Sequence, residues 1–160
     1  MLIGIVLYAT LLGPSEATKR RRELAKCAEN LRKLHLAVNL YANEHDGAFP
    51  MAPEARRTTD ALQRLVPQYT TDKSFFTCPG DGAGYAYLMG LKQESGRALL
   101  MADRLAAASL PITGGELLAK PGNHGGRGGN LLFTDGHVET VAADATRTIE
   151  LPPGVKLLNP

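Results

Sequence analysis

Tryptophan is absent from this chain of 160 residues, and aromatic side chains make up only 6% of it, a poor stock for stacking on bases or sugars. An excess of charge of one sign is also missing. Lys and Arg number 18 against 16 Asp and Glu, a formal net charge of +2, so charge alone points to no nucleic acid or other polyanion. Two cysteines cannot supply a four-thiolate zinc site or an iron–sulfur cluster. No uncharged apolar run reaches the roughly 20 residues of a membrane-spanning helix. With 44% hydrophobic and 21% charged residues, the chain is neither a disordered tail nor a multi-span membrane protein, and its length suits one domain with a real core.

What is present begins at the N-terminus, where residues 1–12 carry no charge and are nearly all apolar. A signal peptide places its basic residues before such a run, whereas here Lys19, Arg20, Arg21 and Arg22 follow it. A helix apolar on every face must be covered all round, by lipid or by other copies. The segment therefore reads as the latter half of an apolar helix whose beginning is missing; burial in the chain's own core is the competing reading. Gly13-Pro14 should kink or loosen a helix at that point.

From 15 to 43 the pattern is helical. Leu24, Cys27, Leu31, Leu34, Val38 and Tyr41 recur at 3-4-3-4-3 spacing, one seam of a helix, while Arg21, Arg22, Lys26, Glu29, Arg32 and Lys33 take the other faces. If 1–43 is one rod, it is about 65 Å long at 1.5 Å per residue, longer than a globule of this size is wide, so the apolar end protrudes. Asp46-Gly47 and Pro50 then stop the helix. A short helix over 59–66 is halted by Pro67, and Cys78-Pro79-Gly80-Asp81-Gly82 reads as a loop. Strands are expected over 85–89 and 97–102. The clearest hairpin joins 130–134 to 137–141 through Asp135-Gly136, which suits a two-residue type I′ turn with both central residues at positive φ. The last ten residues, with Pro152, Pro153 and Pro160, read as an extended surface stretch. The expected architecture is α+β, a long N-terminal helix or stalk packed on a small antiparallel sheet. It divides into an apolar stalk segment (1–14), the amphipathic half of the helix (15–45) and a globular part carrying the sheet (46–160).

Few residues offer chemistry. In an exported protein Cys27, on the helix seam, and Cys78, in a loop, would pair and pin that loop to the helix; in a cytosolic one they would be two separate buried thiols. The export-type N-terminus favours the pair, and closing a loop of about 50 residues stabilises by roughly 4 kcal/mol in the chain-entropy model. Asp103, His124, Asp135 and His137 form the one plausible polar cluster, of a type that holds zinc or manganese if the hairpin tip reaches Asp103. The plainer account is that Asp135 serves the turn, His137 alternates along a strand and Asp103 ends one. His124 would then cap the hairpin by hydrogen bonding. Cys78 lacks the activating context of a thiol nucleophile. The glycine-rich stretch 122–129 lacks the Gly-Lys-Ser/Thr ending and the following helix of a P-loop. The basic run 19–22 is flanked by Glu16 and Glu23 and reads first as a solvated helix face, with headgroup or subunit contact second.

Three segments carry a likeness: MLIGIVLYATLLGP (1–14), CAENLRKLHLAVNLYANEHDGAFP (27–50), and FTCPGD (76–81) together with HGGRGGNLLFTDGHV (124–138). They resemble type IV pilin-like proteins and type II secretion pseudopilins, more narrowly the prepilin-type proteins with a His-X9-Asp-Gly signature, here His124, Asp135 and Gly136. Two features depart from the pattern. Ten residues rather than nine separate His124 from Asp135, and the family's cleavage segment, with Glu at the fifth mature position, is absent; residue 5 is Ile5.

The resemblance implies a pilin-like fold and a non-catalytic subunit without a cofactor. Its stalk would sit in the inner membrane, then be extracted by pilus or secretion machinery into a helical homopolymer in the periplasm or outside the cell. Leu2, Ile3, Ile5, Val6, Leu7, Leu11, Leu12 and Pro14 would carry assembly, with no nucleic-acid partner. Related secretion pseudopilins often bind calcium; Asp81, Asp103 and Asp135 are loose candidates here, without a dense loop of oxygen ligands. The alternative, from the polar cluster, is a metal-dependent hydrolase or binding enzyme using Asp103, His124, Asp135 and His137.

Overall fold

A computed structural model of the chain describes residues 15–106, 111, 115–120, 122–150 and 152–160. The stalk segment 1–14, with the assembly residues Leu2, Ile3, Ile5, Val6, Leu7, Leu11, Leu12 and Pro14, lies outside the described residues.

Helix α1 (Glu16–Asn43) opens at Ser15, whose hydroxyl accepts the Thr18 N–H at 3.3 Å, and Glu16 places an acid in the first turn, where the helix dipole favours it. The seam is buried as its spacing requires. Cys27, Leu31, Leu34 and Val38 are fully enclosed, while Leu24 and Tyr41 at its two ends are half-buried. No residue from 15 to 26 is buried, so about the first three turns of α1 lie beyond the core. The helix ends where Asp46 and Gly47 take positive φ (51° and 74°), and the Gly47 N–H bonds back to the Ala42 carbonyl at 2.9 Å.

A five-stranded antiparallel sheet follows, formed by β1 (Ala86–Met89), β2 (Leu99–Ala102), β3 (Gly129–Phe133), β4 (Val138–Val141) and β5 (Lys156–Leu158) in the order β4-β3-β2-β1-β5. The protein is thus α+β. Every residue of β1 and β2 is buried, so both faces of the sheet centre are covered. Helix α1 lies against β3 and β4, and the short helix α2 (Thr58–Leu62) lies against β1. The Asp60 carboxylate accepts the Arg56 and Arg57 N–H groups at 3.0 and 2.9 Å where α2 starts, and those bonds hold it below the usual carboxylate range. The helix expected over 59–66 therefore begins one residue earlier and tightens after Leu62 into a 3-10 turn, Gln63–Leu65.

Two expectations are corrected. The C-terminal stretch is extended, but it is not merely surface: Tyr87, Leu88 and Met89 pair with Leu158, Leu157 and Lys156, and Leu158 is buried. The apolar Leu157-Leu158 pair completes the free edge of β1, a role its proline-rich flanks conceal. The hairpin turn also differs. The Phe133 N–H donates to the His137 carbonyl and the Gly136 N–H to the Phe133 carbonyl, both at 2.9 Å, closing a three-residue loop of Thr134, Asp135 and Gly136. Asp46 is the one non-glycine with positive φ among the described residues, so Asp135 stays at negative φ and Gly136 alone (φ 85°) is left-handed. This is a type I turn closed by a glycine bulge, not type I′. The Asp135 carboxylate accepts the His137 N–H at 2.9 Å, a bond available at negative φ, and His35 Nε2 of α1 lies 3.0 Å from the Thr134 carbonyl oxygen.

Gly136 is required twice over. Its φ is left-handed, and a Cβ there would stand 2.7 Å from His35 Cε1. Gly136→Ala should lower stability by about 1–3 kcal/mol, read as a lower urea midpoint with an unchanged slope. A wild-type midpoint would mean that this turn does not hold the hairpin to α1.

Candidate functional site

Chain segments far apart in sequence meet under the middle of α1. Cys27 on the helix and Cys78, in the loop after the 3-10 turn Ser74–Phe76, form a disulfide with Cα atoms 5.3 Å apart, 51 residues apart in sequence and fully enclosed. Asp103 leaves the end of β2, and His124 lies in the glycine-rich loop before β3. His124 Nε2 is 3.2 Å from Asp103 Oδ2 and 3.6 Å from Cys78 Sγ, with both side chains of the His–Asp pair 2% exposed. The four residues offer ligand-type atoms within 4.8 Å of one another.

Their surroundings hold them in place. Asp103 Oδ2 accepts the backbone N–H of Asn130 at 2.7 Å and its side-chain amide at 3.2 Å, and the Asp103 N–H donates to the Asn130 carbonyl at 2.9 Å. Asn130 also donates to the Leu24 carbonyl of α1 at 3.1 Å and accepts from the Thr140 hydroxyl of β4 at 2.8 Å. The Gly80 N–H points at Cys78 Sγ at 3.4 Å. A Cβ on Gly80 would come within 2.6 Å of the Asn123 carbonyl and 3.1 Å of His124 Nδ1, so the Cys-Pro-Gly turn needs its glycine to let the imidazole in. Asn123 clamps the other side, accepting the Arg104 N–H at 2.7 Å and donating to the Gly84 carbonyl at 3.2 Å. Beside the cluster a groove opens, lined by His124, Asp81, Glu16 and Glu23 with Lys19 and Arg20.

The other residues singled out from the sequence lie elsewhere. Strand β3 starts beside Asp103 and carries the chain away from it, and five residues at about 3.4 Å each separate the cluster from the turn by roughly 17 Å. Asp135 and His137 therefore do not reach Asp103. Asp135 faces Arg97 at 3.5 Å and closes the turn, and the His137 side chain is exposed. His124 does not cap the hairpin tip either; it lies at the opposite end, against Asp103 and Cys78. The calcium candidates do not converge: Asp81 faces Arg104 at 3.9 Å, Asp103 is held by Asn130, and Asp135 belongs to the turn. The stretch 122–129 leads into β3 rather than a helix, as expected of a loop that is not a phosphate cradle.

Sequence reasoning passed over the three asparagines that tie the site together. Asn30 donates to the Thr77 carbonyl at 3.1 Å, next to the disulfide, while Asn123 and Asn130 act as above. Asn30 falls beside Leu31 on the inner face of the helical pattern, which was the available signal; Asn123 and Asn130 look like ordinary loop and strand residues.

Among the described residues no helix is long and apolar enough to cross a membrane. The chain matches no protein-family model, no curated protein sequence and no solved structure.

Chemically, the oxidised cluster is a clamp. It joins α1, the loop at 78–84, the end of β2 and the entry to β3, and it leaves no room for a substrate between its side chains. Replacing Cys27 and Cys78 by Ser should cost about 4 kcal/mol in metal-free buffer, a Tm lower by on the order of 10 °C. Thermal unfolding with a chelator present checks this, and an unchanged Tm would show that the covalent link is redundant with the packing.

Proposed function

We propose that the protein is a non-catalytic structural subunit of a type IV pilus-like or pseudopilus filament, assembling with copies of itself through its apolar N-terminal segment. The observation that carries this reading is the division of α1. From Cys27 onward its seam is buried against the sheet and cross-linked to it, whereas none of residues 15–26 is fully buried and only Arg20, Glu23 and Leu24 are partly covered. A helix that contributes to its own core over only half its length has the other half available for something else. In sequence, that free half is preceded by the uncharged run 1–12, which has to be covered by lipid or by other copies. Packing of one copy's run against a different surface of the next gives an open helical polymer whenever the rotation does not close.

In this reading the subunit waits in the inner membrane, is drawn out by pilus or secretion machinery, and ends in a periplasmic or extracellular filament. The globular part decorates the outside, and the Cys27–Cys78 link suits such an oxidising location. The Asp103 and His124 side chains are 2% exposed and bonded to each other within the cluster, which supports a structural role for the pair.

Electron microscopy of material sheared from the native cells, without detergent, tests the proposal. Regular filaments are expected, with the apolar segments at the centre. Leu7→Asp or Leu11→Asp should abolish them by placing an unpaired charge in the packed stalk, while the globular part keeps its disulfide. Dispersed single particles from the wild-type chain, or filaments unaffected by both substitutions, would overturn it.

A further inference from the structure

We propose that, once Cys27 and Cys78 are reduced, the cluster is a four-ligand site for zinc or a similar divalent transition-metal ion, made of the two thiolates, His124 and Asp103. The same residues would then hold either a disulfide or a metal. This inference does not depend on the filament reading.

The donor set is the first argument. Two soft thiolates, an imidazole and a carboxylate match the ligands zinc takes, and they exclude calcium and magnesium, which require mostly oxygen. Two cysteines alone could not make such a site; the fold supplies the other two ligands from β2 and from the loop before β3. The second argument is size. Zinc bonds of about 2.0–2.3 Å imply tetrahedral edges of roughly 3.3–3.8 Å. The separations of 3.6 Å from His124 Nε2 to Cys78 Sγ and 3.2 Å from Nε2 to Asp103 Oδ2 are already close to such edges. The two sulfurs must part from bonding distance to about 3.7 Å, and the other ligand atoms, all within 4.8 Å of one another, must settle to such edges.

The third argument is the set of outer contacts. Metal ligands are oriented by hydrogen bonds from behind, and here Asn130 donates twice to Asp103 Oδ2 while the Gly80 N–H donates to Cys78 Sγ. An N–H aimed at sulfur stabilises a thiolate, and the Cys-Pro-Gly turn provides it from two residues away. The fourth argument is what the oxidised cluster leaves unsatisfied. Asp103 Oδ1 and His124 Nδ1 are buried and have no hydrogen-bond partner among the described residues. Groups of this kind are rare in folded proteins, and the free lone pairs on the Asp103 carboxylate leave it capacity to take a cation.

The chemistry balances with a dithiol as reductant. The Cys27–Cys78 bond breaks as the protein takes up two electrons and two protons, and the dithiol closes to its own disulfide. Zinc then replaces both thiol protons, which pass to solvent, and two sulfur–zinc bonds form beside the imidazole and the carboxylate. Because the disulfide is fully enclosed, reduction needs the loop at 78–84 to open or the chain to unfold.

The test uses the full chain in mild detergent, unfolded in denaturant with excess dithiol, separated from it, and refolded anaerobically with one equivalent of cobalt(II) or zinc. The expected result is one metal ion per chain, with both thiols protected from alkylation. Cobalt should give the intense visible bands of a tetrahedral site and a thiolate charge-transfer band. The chain left oxidised should bind neither metal. His124→Ala and Asp103→Asn should each weaken binding by at least about tenfold, and far-UV circular dichroism of the oxidised variants verifies that they fold. The proposal is overturned if the reduced wild type refolds without a tetrahedral cobalt spectrum, or fails to refold even with zinc. Equal binding by the oxidised chain, or unchanged affinity in the two folded variants, would overturn it as well.

Discussion

The hydrogen bonds made by Asn130 are the constraint on which the rest of the structure depends. This side chain is wholly buried on β3 and touches three elements at once: the Leu24 carbonyl of α1, the Asp103 carboxylate at the end of β2, and the Thr140 hydroxyl of β4. A buried network pays back its desolvation only when its members meet in one arrangement. A one-residue slip of β3 would turn Asn130 to the opposite face and strand those partners. The register of the sheet, the height of α1 above it and the position of Asp103 are therefore set together. Asp103 in turn places His124, and His124 lies against the sulfur that fastens the loop at 78–84 to the helix.

That arrangement explains why α1 has two unlike halves. Its second half is fastened by apolar burial, by the Asn30 bond and by the disulfide, with the Asn130 bond to the Leu24 carbonyl one turn before it. Its first half has a capping serine, an acidic first turn and a cluster of cations, features that make a helix stable while exposed but give the core nothing. A rigid rod fixed at one end and free at the other can pass load from an apolar segment to a globular head without remodelling the head. This is the physical content of the filament proposal. The clamp at Cys27 lies where that load would enter the globule, so a cross-link, covalent or metallic, is most useful there.

Local pattern made much of this legible. The seam of Cys27, Leu31, Leu34 and Val38 identified the buried face of α1, Asp46-Gly47 marked its end, and alternating strands around Asp135-Gly136 marked the β3–β4 hairpin. Each signal acts within a few residues, where backbone sterics and side-chain direction decide the outcome. The reading of the turn failed for a related reason: Asp-Gly serves both a two-residue I′ turn and a three-residue loop with a glycine bulge, and contact with His35 is non-local. The last strand was concealed because Lys156, Leu157 and Leu158 are ordinary in composition and become a strand only when β1 offers an unpaired edge.

The candidate site shows the division most clearly. Asp103, His124, Asp135 and His137 looked alike in sequence, as polar residues near strand ends. The direction of β3 separated them, leaving the first two beside the disulfide and the others about a strand's length away. From the sequence alone came the α+β class, the long helix and its buried face, the hairpin, and two cysteines able to pair in an oxidising setting. Only the tertiary structure decided which acid and which histidine stand beside those cysteines. Helix periodicity and turn chemistry are written in neighbouring residues, whereas the meeting of Cys27, Cys78, Asp103 and His124 depends on strand order and register, which no local pattern contains.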